Sequence, residues 1–154
     1  MPATGRLFID ADACPYKDEV VEVARRFICT CIFVANMPLK KLEGRDGIET
    51  ILCEQEFDGA DKYILSHALG EDCVLTKDLL LAKLLVEKGI PVASFRGKPI
   101  NSENIGQYLA MRGLKQEVRE HDSGPKRQKN NIGKRKKEKS QFKESFHLFL
   151  GLHF

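Results

Sequence analysis

The sequence predicts an α/β protein built around a mainly parallel five-stranded sheet, and three observations carry that expectation. Short apolar runs alternate with amphipathic segments through most of the chain. The linkers between them are short, about two to six residues, as strand–helix units require. Glycines and capping residues fall where helices should stop and start. Neighbouring parallel strands need a crossover, usually a helix, so the alternation implies helices packed on a sheet.

Taken in order, the first apolar run ends in Asp10-Ala11-Asp12-Ala13-Cys14-Pro15. Pro15 to Phe27 reads as a helix, with Pro at its first position and Asp18 and Glu19 near the positive end of its dipole. Arg25 and Arg26 lie near the negative end, and Val20, Val21, Val23, Ala24 and Phe27 supply the buried stripe. Cys29 to Ala35 is a continuous apolar run suited to a central strand, and Ile48 to Cys53 reads as a third. A helix follows from about residue 59 to Leu69, with Gly70 as its stop. Asp72 to Thr76 gives the fourth strand. Asp78 stands at the N-cap of a helix from Leu79 to Lys88, closed by Gly89. Pro91 to Phe95 is the fifth strand, and Ser102 caps a last short helix through Arg112.

A chain of 154 residues with 42% apolar and 31% charged residues is one soluble globular domain in composition. The net charge of +3 hides an asymmetry. From Lys126 to Lys139 there are eight Lys or Arg against the single acid Glu138, a local charge of +7 that leaves −4 for the rest. We therefore divide the chain into a domain over residues 1–125 and a basic tail over 126–154. In the tail, Phe142, Phe146, Phe149 and Leu150 have the spacing of a short amphipathic helix that docks on the body or on a second copy. No stretch has the length of a membrane span, and the N-terminus lacks the apolar core of a secretory signal. Five cysteines without a CxxC pair indicate reduced thiols and a cytoplasmic setting.

The candidate site is a set of carboxylates. In an open α/β sheet, sites form beyond the carboxyl ends of the strands where strand order reverses. If the first and fourth strands flank that point, Asp10 and Asp12 face Asp78 across the cleft, and Asp58 and Asp61 open the helix before the fourth strand. Each acid has a bland role as well, since Asp78 and Asp58 are good helix caps. Caps do not need four or five acids at one end of one sheet, whereas Mg²⁺ or Mn²⁺ does take such oxygen ligands. Metal-bound carboxylate clusters are suited to phosphodiester cleavage. Asn36 at the end of the second strand, Arg96 and Arg112 are candidate phosphate contacts. Cys14 reads as a helix-entry residue ahead of a nucleophile, because no histidine is fixed near it.

These motifs resemble those of the YaiI/YqxD family, bacterial proteins without an established activity that are grouped with the PIN-like nucleases. The resemblance runs through Asp10-Ala11-Asp12-Ala13-Cys14-Pro15, Val34-Ala35-Asn36, Phe57-Asp58-Gly59-Ala60-Asp61 and Thr76-Lys77-Asp78-Leu79-Leu80-Leu81-Ala82. It continues in Glu87-Lys88-Gly89, Arg96-Gly97, Asn104-Ile105, Leu109 with Arg112, and Ser123-Gly124-Pro125. It covers most of residues 6 to 125. The chain departs from the pattern at Phe95 and Ile100, where similar proteins tend to carry Pro and Tyr, and in its heavier basic segment. The resemblance implies a three-layer α/β/α, PIN-like fold and a metal-dependent acidic site that cuts RNA or DNA. By position, Asp10, Asp61 and Asp78 match the acids of that site, with Asp12 and Asp58 as additional acids.

Three functions compete on this reading. The first is a Mg²⁺- or Mn²⁺-dependent nuclease, with RNA ahead of DNA as substrate. Asp10, Asp61 and Asp78 would be ligands, Asp12 a ligand or water-orienting base, and Lys126, Arg127, Lys134, Arg135, Lys136 and Lys137 would add backbone affinity. The second is a non-catalytic RNA- or ribosome-binding protein whose acids are structural. The third, weakest, is a phosphohydrolase with Asp10 as nucleophile and Asp12 as general acid/base.

Overall fold

In a computed structural model that describes residues 5–53, 59–112 and 132–154, the chain forms a six-stranded sheet with helices on both faces. The strands are β1 (Arg6–Asp10), β2 (Thr30–Ala35), β3 (Ile48–Leu52), β4 (Cys73–Leu75), β5 (Val92–Ala93) and β6 (Pro99–Ile100). The helices are α1 (Lys17–Arg25), α2 (Gly59–His67), α3 (Leu79–Glu87), α4 (residues 105–112) and α5 (Ile132–His153). Strand order is β3-β2-β1-β4-β5-β6. The chain winds outward from β1 to β3, then returns to the other side of β1, so order reverses between β1 and β4. All pairs are parallel except β5 with β6. The antiparallel β6 is a correction to the five-strand expectation; two residues after a tight turn at Gly97 are too short to show as a run in sequence.

Burial follows directly from strand composition. β1 and β2 are central and covered on both faces, which is why they read as unbroken apolar runs. β3 lies at the edge, and its residues are no more than half-buried. Alternation along each central strand separates two cores. Leu7, Ile9, Cys31, Phe33 and Leu75 meet α1 and α5 on one face. Phe8, Ile32, Val34 and Val74 meet Ile64 of α2 and Leu81 and Leu85 of α3 on the other, with Ile105 and Tyr108 of α4 against them. The result is a three-layer α/β/α sandwich.

Several boundaries differ from the sequence reading for local reasons. Pro15 does not begin α1. After β1 the chain makes one 3₁₀ turn (Ala11–Ala13), and α1 starts at Lys17 with Tyr16 at its N-cap. Ser102 is not the cap of the helix that follows β6. Asn101 Oδ1 accepts from Glu103 N and Asn104 N, each at 3.0 Å, while Asn104 Oδ1 accepts from Asn101 N at 2.8 Å. This reciprocal pair satisfies donors that the helix entry would leave open.

The largest difference is at the C-terminus. The basic residues from Lys134 onward and the apolar end are one 22-residue helix, Ile132–His153, longer than the short terminal helix expected. α5 docks on the body, burying Phe142, Phe146, Phe149 and Leu150 almost completely. Each such side chain contributes roughly 1.5–3 kcal/mol on burial, so four together rival the net stability of a domain, about 5–15 kcal/mol. Lys139 Nζ lies 3.4 Å from Glu19, Lys143 Nζ 3.5 Å from Glu22, and Arg26 Nη1 3.4 Å from His147 Nδ1. Residue numbers rise together on both helices, so α5 runs parallel to α1.

At the opposite end from the strands' carboxyl termini, Asp72 is 1% exposed yet fully engaged. Its oxygens accept from Arg6 N (2.9 Å), Arg6 Nε (3.3 Å), Arg6 Nη2 (2.9 Å) and Leu69 N (2.8 Å). Four donors around one carboxylate are what a buried charge requires.

Gly97 shows how closely α5 is held. It has φ +77°, and a Cβ there would lie 2.7 Å from Phe146 N and 2.8 Å from Phe142 O. Gly89 has nearly the same φ, +78°, with open space around it. Gly89→Ala should therefore cost only the left-handed strain, about 1–2 kcal/mol. Gly97→Ala should cost a further ~1–3 kcal/mol of overpacking. Urea unfolding of both variants measures the difference; equal losses would mean that α5 does not press on this loop.

Candidate functional site

The carboxyl ends of β1 and β4 lie side by side, and the residues there come from chain positions far apart in sequence. Asp10 is the last residue of β1. By alternation it belongs with Phe8 on the face covered by α2, α3 and α4. Thr76 follows β4 and shares that face with Val74. The fully buried Thr76 hydroxyl donates to Asp10 Oδ2 at 3.0 Å and accepts from Asp78 N at 3.1 Å. One hydroxyl thus links the end of β1 to the start of α3.

Asp78 caps α3, as its position before an apolar helix suggests: Oδ1 accepts from Leu80 N (2.9 Å) and Leu81 N (3.2 Å). Burial pushes its carboxyl up, but a side-chain hydrogen bond with Asp61 and the Leu81 and Leu80 amides outweigh it. The charge of Arg112 on α4 adds to them, and the net effect is a carboxyl below its ordinary value. Asp61 stands in the first turn of α2, so its bond with Asp78 joins α2 to α3 across the same end of the sheet.

Asp10 is held differently. Burial pushes its carboxyl up, the Thr76 hydroxyl pulls it partway back, and the negative charges of Asp12 and Asp78 push it up again. Asp12 does not share a strand face with Asp10, because β1 ends at Asp10 and Asp12 lies in the 3₁₀ turn. Its exposed carboxylate instead receives Asn36 N on both oxygens, at 3.2 and 2.9 Å. Asn36 therefore binds Asp12 through its backbone, while its Oδ1 is buried without a hydrogen-bond partner.

The structure brings Asp10, Asp12, Asp61, Asp78, Asn36 and Arg112 to one end of the sheet. Asp58, Lys126 and Arg127 lie outside the described residues. Arg96 is exposed on the β5–β6 turn beside the Gly97 contact with α5, and Lys134, Arg135, Lys136 and Lys137 are exposed on α5. Among the described residues, no three His, Cys, Asp or Glu side chains are grouped closely enough to hold a metal ion. The donors nevertheless suit a hard cation in kind. They are carboxylate oxygens, beside an amide oxygen, Asn36 Oδ1, that has no partner among the described residues. Cys14 is 4% exposed, and burial pushes its thiol up to about 11, so it stays protonated near neutral pH and is no nucleophile.

Thr76 is the residue that sequence reasoning passed over. A threonine closing a strand two positions before an N-cap aspartate is its only signal, and ordinary strand propensity accounts for that equally well.

The chain belongs to the YaiI/YqxD family, described as uncharacterised, whose model matches residues 8–151. A UPF0178 protein of Psychromonas ingrahamii is 43% identical over 115 residues, covering 73% of this chain and 76% of that one. One from Rhodospirillum centenum is 40% identical over 114 residues, with 74% and 73% covered. Another from Bacillus cytotoxicus is 36% identical over 129 residues, with 82% and 84% covered. No solved structure matches.

The two key carboxyls have opposite linkage signs. A carboxyl raised on folding, like Asp10, gives stability that is present below its unfolded value and lost as pH rises through the folded one. Asp10→Asn should therefore raise the melting temperature at pH 7, with the gain vanishing below about pH 4, the unfolded aspartate value. A lowered carboxyl, like Asp78, gives stability above the unfolded value that is lost as pH falls. Asp78→Asn should lower the melting temperature at pH 7, since it removes the carboxylate's charge from the helix N-terminus, about 0.3–1 kcal/mol of stability. Thermal unfolding from pH 3 to 8 reads both; a destabilised Asp10→Asn at pH 7 would contradict the charge-crowding account.

Proposed function

We propose that this protein is a divalent-metal-dependent nuclease that cuts phosphodiester bonds at the carboxyl ends of β1 and β4, with RNA as its first substrate. One observation carries the reading. Asp10 is half-buried, receives one hydrogen bond among the described residues, and stands within the field of Asp12 and Asp78. A structural carboxylate does not need such surroundings, whereas a ligand to Mg²⁺ or Mn²⁺ does. The resemblance to PIN-like nucleases supports the same choice.

Asp10, Asp61 and Asp78 would hold the metal, with Asp12 as a further ligand or as the base that orients water. Bound there, the metal would neutralise the scissile phosphate and lower the pKa of a water. The chain's own residues do the rest. The Thr76 hydroxyl fixes Asp10 Oδ2. The α3 amides take Asp78 Oδ1 and so orient that carboxylate. Arg112, whose charge already acts on Asp78, meets a phosphate oxygen at the rim.

One set of contacts favours a second reading. Asp78 is a working N-cap and Asp12 ties Asn36 to the β1 turn, so both acids already have structural work. A non-catalytic RNA-binding protein would keep them for that alone.

Labelled single-stranded RNA with Mn²⁺ separates the two. The wild-type protein should cleave it, Asp10→Asn should fall to background, and Thr76→Val should lose about 10–100-fold while Thr76→Ser retains most activity. Equal cleavage by wild type and Asp10→Asn would mean a contaminant, and no cleavage by the folded wild type would favour the binding protein.

A further inference from the structure

The first turns of α5 carry a charge arrangement that the fold does not balance. Residues 133–140 are all exposed, and they include Lys134, Arg135, Lys136, Lys137 and Lys139 against one acid, Glu138. No acid lies in the first turn of the helix. A helix N-terminus is the positive end of the dipole, so cations placed there are repelled. Glu138, the one acid among residues 133–140, faces Tyr16 at the start of α1, where burial and then the Glu138 charge push the phenol up. Lys139 and Lys143 are held by Glu19 and Glu22. Among the described residues, Lys134, Lys136 and Lys137 make no ion pair. The arrangement is unfavourable in the isolated protein and is relieved by a polyanion.

Placement adds a second argument. α1 begins just beyond the carboxyl end of β1, and Lys139 lies opposite Glu19 in its first turn. The basic turns of α5 therefore stand at the same end of the sheet as the carboxyl cluster, on the other face. Their surface over 133–141 presents only glycine and polar side chains, Phe142, Phe146, Phe149 and Leu150 are buried in the core, and the exposed leucines of α5, Leu148 and Leu152, lie toward its other end. That leaves these first turns no apolar anchor for a bilayer and no aromatic anchor for a protein partner. Closely spaced phosphates need neither.

We infer that the exposed first turns of α5 are a docking surface for a nucleic-acid phosphate backbone. Lys134, Lys136 and Lys137 make the contacts, and Glu19, Glu22 and Tyr16 hold the helix in place. The inference rests on the reading above for its choice of nucleic acid, but its test measures binding apart from cutting. The segment is thus a fixed, helical part of the binding surface and not a solvated tail.

The test is the affinity of the full chain for a twenty-nucleotide labelled RNA in EDTA, across a salt series. The variant Lys134→Gln/Lys136→Gln/Lys137→Gln is compared with Lys40→Gln/Lys41→Gln/Lys83→Gln, which removes the same charge elsewhere. Circular dichroism confirms that both are folded. Each phosphate contact contributes about 0.7–0.9 to the slope of log K against log salt. The α5 variant should lose roughly 2 from that slope and about tenfold in affinity, and the control should lose neither. Equal losses in both would reduce the effect to net charge and overturn the inference, as would no loss in either. Unchanged RNA binding with lost binding to phosphatidylserine vesicles would overturn it in favour of a membrane. RNA bound through α5 but uncut in Mn²⁺ would sink the nuclease and leave this surface standing.

Discussion

Like-charge crowding at the carboxyl ends of β1 and β4 is the constraint to which the rest of the structure answers. The same pair of strands carries a buried carboxylate, Asp72, at one end and a half-buried one, Asp10, at the other, and the two are treated in opposite ways. Asp72, beside the start of β1, collects four donors from Arg6 and Leu69. Asp10, at the finish of β1, collects one donor among the described residues and two neighbouring negative charges. Folding could have neutralised the second as thoroughly as the first. A parallel sheet delivers backbone amides and helix N-termini to its carboxyl edge, yet here they are directed to Asp78 and Asp12. Asp10 is left short. Local strain of this kind, compensated by a well-satisfied anchor at the far end, is how a site is kept ready for a charged ligand.

The fold sustains that crowding because the elements around it are over-determined. β1 and β2 are covered on both faces, and β4 is pinned between β1 and β5. α5 seals one face with three phenylalanines and a leucine, and its close approach at Gly97 ties the β5–β6 turn to the same layer. The acids can repel one another without the strands parting. Thr76 is the point where rigidity and chemistry meet, since one hydroxyl holds both the Asp10 carboxylate and the amide of the Asp78 cap. A valine there would keep the volume and lose both bonds.

Much of this was legible in the sequence, for physical reasons that also explain the failures. Continuous apolar runs marked β1 and β2 because central parallel strands have no solvent side. Asp78 and Gly89 bounded α3 because caps obey local rules. Short linkers implied crossovers, while the reversal of order between β1 and β4 was a condition of the sequence reading that the strand order meets. What failed depended on tertiary geometry. The end of β1 at Asp10, which turns Asp12 away from its expected partner face, is set by a 3₁₀ turn with no strong residue signature. The two residues of β6 are a strand only because β5 lies beside them. Helix formers such as Lys and Glu already allowed a helix in the lysine run, but its joining to the aromatic stripe in one 22-residue helix depends on docking on α1, where Glu19 and Glu22 meet Lys139 and Lys143. Thr76 was invisible as a hub because its role is defined by two partners from different elements.

If the proposed function is right, a divalent cation draws the Asp10, Asp61 and Asp78 carboxylates in around itself at the carboxyl ends of β1 and β4. Titration of free Mn²⁺, followed by its electron paramagnetic resonance signal, tests that most directly. The account predicts that the wild-type protein removes the free-ion signal in saturable fashion. Asp10→Asn and Asp61→Asn, both shown to be folded, should leave much more of it. A wild-type protein that leaves the signal untouched, or variants that bind Mn²⁺ as tightly as it does, would contradict it.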